Sequence, residues 1–415
     1  MDLRISHSCP SCGGPVEMKE ADRLTDCPFC DVKNYMVSGP MLRFMLPDSL
    51  PEHIDPSEII YFPYLRFKGN IFSCGGQKVG CKVLDTTHQG VEAAMLPPSL
   101  GLRPQAMKIR LADDNGDGRF IRQTERPAAV LERAEKLARA FSDINEVKLY
   151  HRAFIGETVS CLYLPLYIEN DKLYDGILQR PLGSVPAWLG DNDNLLAFKK
   201  QWRPRYLAMI CPHCGDSMQG HSDSLVVHCY NCDTCWSEER GRFSPVDFRL
   251  VEARRANTVY LPFWRIRATS TGLEMKTFAD LLRTTNQPVV LSRKHRDQPL
   301  QFWIPALKIR PRVFLTLAKS ATLSQLKYPR GASKLSRRLL PVTLPLKEAV
   351  QAIKPVFAAT VISRKEIMPR LPRLKLTQLQ AGLCFLPFED TGHDYVQHHC
   401  GVSVTSSAVR FGRKL

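Results

Sequence analysis

Cys9-Pro-Ser-Cys12 and Cys27-Pro-Phe-Cys30 stand fourteen residues apart, and Cys211-Pro-His-Cys214 and Cys229-Tyr-Asn-Cys232 repeat that spacing. A Cys-x-x-Cys pair offers two thiolates from one tight turn. Two such turns facing each other across a hairpin supply the four soft ligands of a tetrahedral site, for which Zn2+ is the expected ion. With cysteine at every ligand position each site would be closed, leaving no place for water or substrate, and so structural in kind. Reduced unliganded cysteines and an iron centre are the alternatives. Cys235, three residues after Cys232, has no cysteine equivalent in the first half and reads as a bystander. His213 and His228 flank ligands without occupying ligand positions.

Over Cys9–Cys30 and Cys211–Cys232 the chain resembles zinc ribbons, modules found in transcription factors and RNA polymerase subunits. Gly13 and Gly215 follow the first knuckle of each. Asp31 and Asp233 take the matching place after the second, where the family often has glycine. Aspartate tolerates the same left-handed turn. The resemblance implies two structural zinc sites; the rest of the chain is not recognised.

Other landmarks recur in the same order. Tyr61-Phe-Pro-Tyr-Leu-Arg-Phe67 answers Tyr260-Leu-Pro-Phe-Trp-Arg-Ile266, and Leu102-Arg-Pro104 answers Ile309-Arg-Pro311. Cys161-Leu-Tyr-Leu-Pro165 answers Cys384-Phe-Leu-Pro387. The reading is an internal duplication. It places a zinc ribbon at 1–38, an α+β domain at 39–190, a linker at 191–207, a second ribbon at 208–242 and a strongly basic second copy at 243–415. Each copy should be a β-hairpin-rich mixed sheet with a few helices. Prolines 63, 165, 262 and 387 sit in aromatic and branched runs and should mark strand starts, edges or bulges, because proline donates nothing to a ladder. Leu164 to Ile168, a polar turn and Leu173 to Leu178 read as a hairpin. Helices are expected after Pro127 (Val130, Leu131, Ala134, Leu137, Ala138, Phe141), near Pro345 (Leu346, Ala349, Val350, Ile353) and around Phe278, Leu281 and Leu282.

The net charge of +16 is concentrated after Arg293. No acidic residue occurs between Gln298 and Lys347, where Lys327, Arg330, Lys334, Arg337 and Arg338 form a loop-like basic tract. Such a tract attracts phosphates, an acidic protein or an anionic membrane surface. Asp113, Asn115 and Asp117 begin like a calcium loop, but Thr124 stands where a bidentate acid belongs, and an acidic turn is the preferred reading over Ca2+. Cys74 and Cys81 could form a redox pair; reduced thiols are preferred there, as are small buried thiols at Cys161 and Cys384. His398-His399-Cys400 reads as a strand end.

No Ser-His-Asp order, phosphate loop or Gly-x-Gly-x-x-Gly fingerprint is present. The expectation is a non-catalytic zinc-binding scaffold whose basic second half contacts nucleic acid or another polyanion, with no small-molecule substrate. The alternative is a protein–protein adaptor, at an anionic membrane surface or free of one, that binds no nucleic acid. No apolar run approaches the ~20 residues of a membrane span, and cysteine richness without a secretory leader points to the cytoplasm.

Overall fold

The computed structural model describes residues 3–37, 41–101, 103–112, 118–126, 129–133, 136, 148–190, 194–199, 202–253, 255–326 and 334–412. It is a strand-rich mixture of α and β with few helices and several sheets. Two compact units divide the chain: Met1–Lys68, Leu84–Ala138 and Glu157–Met209 in unit 1, and Gly69–Val83, Arg139–Gly156 and Ile210–Leu415 in unit 2.

Unit 1 opens with two hairpins. Strands β1 (Arg4–Ser8) and β2 (Pro15–Lys19) pair antiparallel around the first cysteine knuckle, and β3 (Leu24–Asp26) and β4 (Lys33–Val37) around the second. The body uses β5 (Leu42–Met45), β6 (Ile60–Gly75), β7 (Lys78–Gln89), β8 (Lys108–Leu111), β9 (Arg119–Ile121), β10 (Leu149–Glu169), β11 (Lys172–Asp175), β12 (Arg180–Ser184), β13 (Leu195–Leu196) and β14 (Arg205–Ala208). Their order is β13-β9-β6-β10-β5-β8-β1-β2, with β7 on β6, β11 on β10 and β12 on β11, while β14 joins β4 and β3. The end of β6, the start of β7 and the first residues of β10 count with unit 2.

Strand β6 is buried on both faces for nearly its whole length, so its polar side chains need partners. Arg66 donates to both Asp85 oxygens, at 3.0 Å and 2.8 Å, and to the Glu20 carboxylate. Glu20 also accepts from the Ser160 hydroxyl, and Asp85 from Gln105 Nε2 at 3.0 Å. Because Glu20 directly follows β2, this cluster fastens the first cysteine-bearing hairpins to the central strands.

Unit 2 contains β15 (Val226–Cys229), β16 (Thr234–Glu239) and β17 (Arg242–Pro245) in one small sheet. Its larger sheet is β20 (Gln301–Pro305), β19 (Thr258–Thr271), β21 (Lys375–Asp390), β22 (Asp394–Gln397) and β23 (Val402–Thr405), with β18 (Phe248–Leu250) parallel to β21. The main core lies between this sheet and the helices Pro311–Ser324 and Leu346–Thr360.

The four prolines lie inside long strands, each where a neighbour runs out. The Pro63 carbonyl accepts from the Gly90 amide, one residue past β7, at 2.7 Å; Pro165 accepts from Gly176, one past β11, at 2.8 Å; Pro262 accepts from Ala306, one past β20, at 2.8 Å. Pro387 accepts instead from the side chain of Gln397, the last residue of β22, at 2.7 Å. A missing amide costs nothing at such a local edge. A Cβ on Gly90 or Gly176 would sit 2.9 Å or 2.8 Å from the proline oxygen, which accounts for glycine at both places.

The Leu164–Leu178 region forms the expected hairpin of β10 and β11. Phe278–Thr284 is helical, capped by a Thr277–Asp280 box, and Leu346–Thr360 buries Ala349 and Ile353 while leaving Leu346 exposed. After Pro127, residues 129–133 and 136 are helical; Ala134, Leu137, Ala138 and Phe141 of that stripe lie outside the described residues. The paired Leu-Arg-Pro and Ile-Arg-Pro landmarks part company. Pro311 starts a helix with Phe314, Leu317, Ala318 and Ala321 buried, whereas the short turn Arg103–Ala106 leads into β8, which alternates exposed and buried residues. Apolar spacing after the proline decides between the two periods.

Replacing Arg66 by Met would strand Glu20 without a counter-charge in the interior. The expected cost is about 3–5 kcal/mol, measurable as a drop in urea midpoint, and a change below about 1 kcal/mol would refute the bridging role.

Candidate metal centres

Both quartets close as the spacing predicts. The four sulfurs of Cys9, Cys12, Cys27 and Cys30 lie within 4.8 Å of one another, as do those of Cys211, Cys214, Cys229 and Cys232. Cys9 and Cys30 are 3.9 Å apart and Cys12 and Cys27 3.6 Å; Cys211 and Cys232 are 3.6 Å apart and Cys214 and Cys229 3.4 Å. Sulfurs bound at ~2.3 Å on the corners of a tetrahedron would be ~3.8 Å apart, whereas a disulfide needs ~2.05 Å. These separations fit four ligands around one ion, and zinc is compatible with the donor set. Burial agrees too: in each quartet the first and third cysteines are buried, the second exposed and the fourth between.

The backbone reason is the same turn used four times. Gly13 and Gly215 have φ of 76° and 77°, and Asp31 and Asp233 each have φ of 54°. The Gly13 amide donates to the Cys9 carbonyl at 2.9 Å, Gly215 to Cys211 at 3.0 Å and Asp31 to Cys27 at 3.0 Å. The left-handed residue lets the chain double back and turns amides toward sulfur. Ser11 donates to Cys9 Sγ at 3.4 Å.

Burial opposes ionisation of Cys9 and Cys211, but the amides of Cys12 and Ser11, and of Cys214 and His213, outweigh it and hold both thiols down at about 6. Burial pushes Cys229 up to about 12. Cys30 also stands at about 12, where the Val32 amide is outweighed by burial and the neighbouring sulfurs. Like charges this close resist coexisting, and a cation between them removes the conflict.

The two modules lean on different supports. In the first, Cys9, Val16 and Cys27 cluster with Cys30 against them, while Leu3, Ile5, Met18 and Met36 join the large core of unit 1. Stiffness comes from β14 pairing along β4, from His7 stacked on Tyr206 at 5.9 Å, and from Glu20. In the second, Val226 and Cys235 join a core with Leu250, Tyr260, Leu339, Val342 and Phe385. Cys235 Sγ lies 3.2 Å from His228 Nδ1, and burial pushes its thiol up; it stands outside the quartet, as the sequence suggested. The hydroxyl of Thr234 touches Cys232 Sγ at 3.1 Å and accepts from Trp236 Nε1 at 2.9 Å.

Of the basic tract, Lys327 and Arg330 lie outside the described residues. The remainder is hooked onto the second module. Leu335 N donates to Asp233 Oδ1 at 2.7 Å, and the Arg337 guanidinium lies 5.1 Å from the Tyr230 ring centre. Lys334 is exposed. Arg338 is spent on Asn257, at 2.6 Å, and on Asp390. Residue types gave no hint of this contact, because Asp233 and Leu335 are far apart in the chain.

The candidate calcium residues Asp113, Asn115 and Asp117 also lie outside the described residues. Burial pushes Cys74 up to about 12 and Cys161 and Cys384 up to about 11, keeping these thiols protonated, and raises Cys81 as well. His398 is paired with Glu389 at 2.7 Å. Among the described residues the two quartets are the groups that could hold a metal ion, and no helix is long and apolar enough to cross a membrane. Neither a protein-family profile, nor a curated protein, nor a solved structure matches the chain.

Gently purified protein should carry two ions per chain by elemental analysis, and Cys12→Ser should release one while the second quartet keeps its own. Unchanged stoichiometry in that variant would remove Cys12 from the ligand set.

Proposed function

We propose that both quartets hold Zn2+ as structural clamps, and that the second clamp presents a basic face to a polyanion, nucleic acid being the reading pursued. The observation that carries this is the hook between the second module and the tract: Asp233 to the Leu335 amide and Tyr230 to Arg337. Zinc binding is worth on the order of 10 kcal/mol of folding free energy in small modules. That contribution would add to what the first ribbon gains from Leu3, Ile5, Met18 and Met36, which pack into the core of unit 1. The protein acts by binding, as a scaffold, without catalysis.

The chain is a duplication in this reading, with ribbons at 1–38 and 208–242, each followed by an α+β copy, and 191–207 as the connector. Matched topology supports it. In the first sheet β7, β6, β10, β11 and β12 are successive neighbours with β5 parallel to β10; in the second β20, β19, β21, β22 and β23 are, with β18 parallel to β21. Arg43 stands opposite Cys161 in one parallel pair, and Arg249 opposite Cys384 in the other. The proline-to-strand-end hydrogen bonds recur at corresponding points.

Lys334 and Arg337 would meet phosphates by charge, without reading bases. Oligonucleotide affinity should fall linearly on a log–log plot against salt, and Lys334→Ala with Arg337→Ala should flatten that slope by up to about 2. No binding at low salt, or an unchanged slope, would reject the polyanion reading while leaving the metal sites standing.

A further inference from the structure

The two quartets share spacing, turn and burial, but the surroundings of their sulfurs differ. In the second, the Thr234 hydroxyl lies 3.1 Å from Cys232 Sγ and 3.8 Å from Cys211 Sγ. Buried Trp236 donates from Nε1 to the same oxygen and holds it in place. Once the sulfurs are ionised, the Thr234 hydroxyl is the donor in these contacts. Asn231 adds its side chain beside Cys214. In the first quartet Val32 takes the place of Thr234 and Phe29 that of Asn231, and both are exposed. Among the described residues its sulfurs meet only one another and backbone amides.

The second knuckle is also tied down. Asp233 accepts from the Leu335 amide, and Arg337 lies over the Tyr230 ring. The corresponding Asp31 and Pro28 are exposed, and the Asp31 side chain has no partner among the described residues. Opening the first knuckle therefore breaks no contact of this kind. Cys12 and Cys214 are both exposed, so access to solvent does not separate the sites. Hydrogen bonds to sulfur do. A thiolate that accepts them is a weaker nucleophile, and outer-shell partners change metal affinity by about 10–100-fold.

We infer that the first quartet is an oxidant-responsive thiolate site, oxidised by hydrogen peroxide with release of its ion, while the second quartet keeps its own. The inference rests on the reading that both quartets hold Zn2+. The Cys12 thiolate attacks one peroxide oxygen, giving a sulfenic acid and hydroxide. The Cys27 thiolate, 3.6 Å away, then attacks the Cys12 sulfur, forming a disulfide and expelling a second hydroxide. Two thiolates have lost two electrons to the peroxide, and two protons from solvent neutralise the hydroxides. The two thiolates left are too few for an ion that takes four ligands.

The test uses the full metal-loaded chain, hydrogen peroxide and a coloured zinc indicator. Unfolding a sample in acid first counts the ions, and fewer than two per chain would overturn the clamps and this assignment together. With two present, peroxide should release one about tenfold faster than the other. Peptide mass mapping of the early product should find a disulfide within Cys9–Cys30. Val32→Thr should slow the fast phase by about threefold, less than the full outer-shell effect, because Asn34 stands where Trp236 would orient the new hydroxyl. Thr234→Val should speed the slow phase; should that variant fail to fold, Val32→Thr at its exposed position decides. Cys12→Ser, left with one ion, should show the slow phase alone. Equal release rates, a fast phase persisting in Cys12→Ser, or a fast phase unchanged by Val32→Thr each overturns this assignment while the metal sites stand.

Discussion

Four sulfurs within 4.8 Å of one another can all be ionised together only around a cation. Both modules are built on that constraint. Their turns are wound left-handed at Gly13, Asp31, Gly215 and Asp233 to bring the sulfurs together, and their backbone amides lower the first thiol of each set to about 6. What an ion held there would stabilise reaches outward. In unit 1 the quartet sits in hairpins that extend the large sheet through β1 and β8; in unit 2 it sits in a knuckle whose Asp233 and Tyr230 hold a loop otherwise anchored by Arg338.

Away from the metal, the sheets manage their prolines by a single device. Placing each proline beside the end of a neighbouring strand lets its carbonyl take the first donor beyond that end, or in one case the side chain of the last residue. The central strands thus stay long and buried although their sequence breaks the ladder. Glycine at 90 and 176 follows from the closeness of that approach. Arg66 shows the other requirement of a strand buried on both faces: its charge is matched by two carboxylates from separate segments.

The quartets were legible because their ligands are close in sequence and their spacing has one chemical use. Helices with a full apolar stripe, such as Leu346–Thr360, were legible for a similar reason, since periodicity is local. The Pro311–Ser324 helix was missed as a helix because its landmark was matched to Leu102-Arg-Pro104, where a strand follows. The basic tract looked uniform in sequence, yet Arg338 is neutralised by Asp390 and Arg337 rests on an aromatic ring. Long-range pairing of that kind depends on which strands become neighbours, and composition carries no record of it.

The Glu20 carboxylate also sets an order of events in synthesis. Every sulfur of the first set precedes residue 31, so its hairpins are made before the groups that receive Glu20. The groups that receive Glu20 emerge much later, Arg66 in β6 and Ser160 in β10. Docking of the first module through this acid therefore has to follow synthesis of β6 and, for the Ser160 contact, of β10.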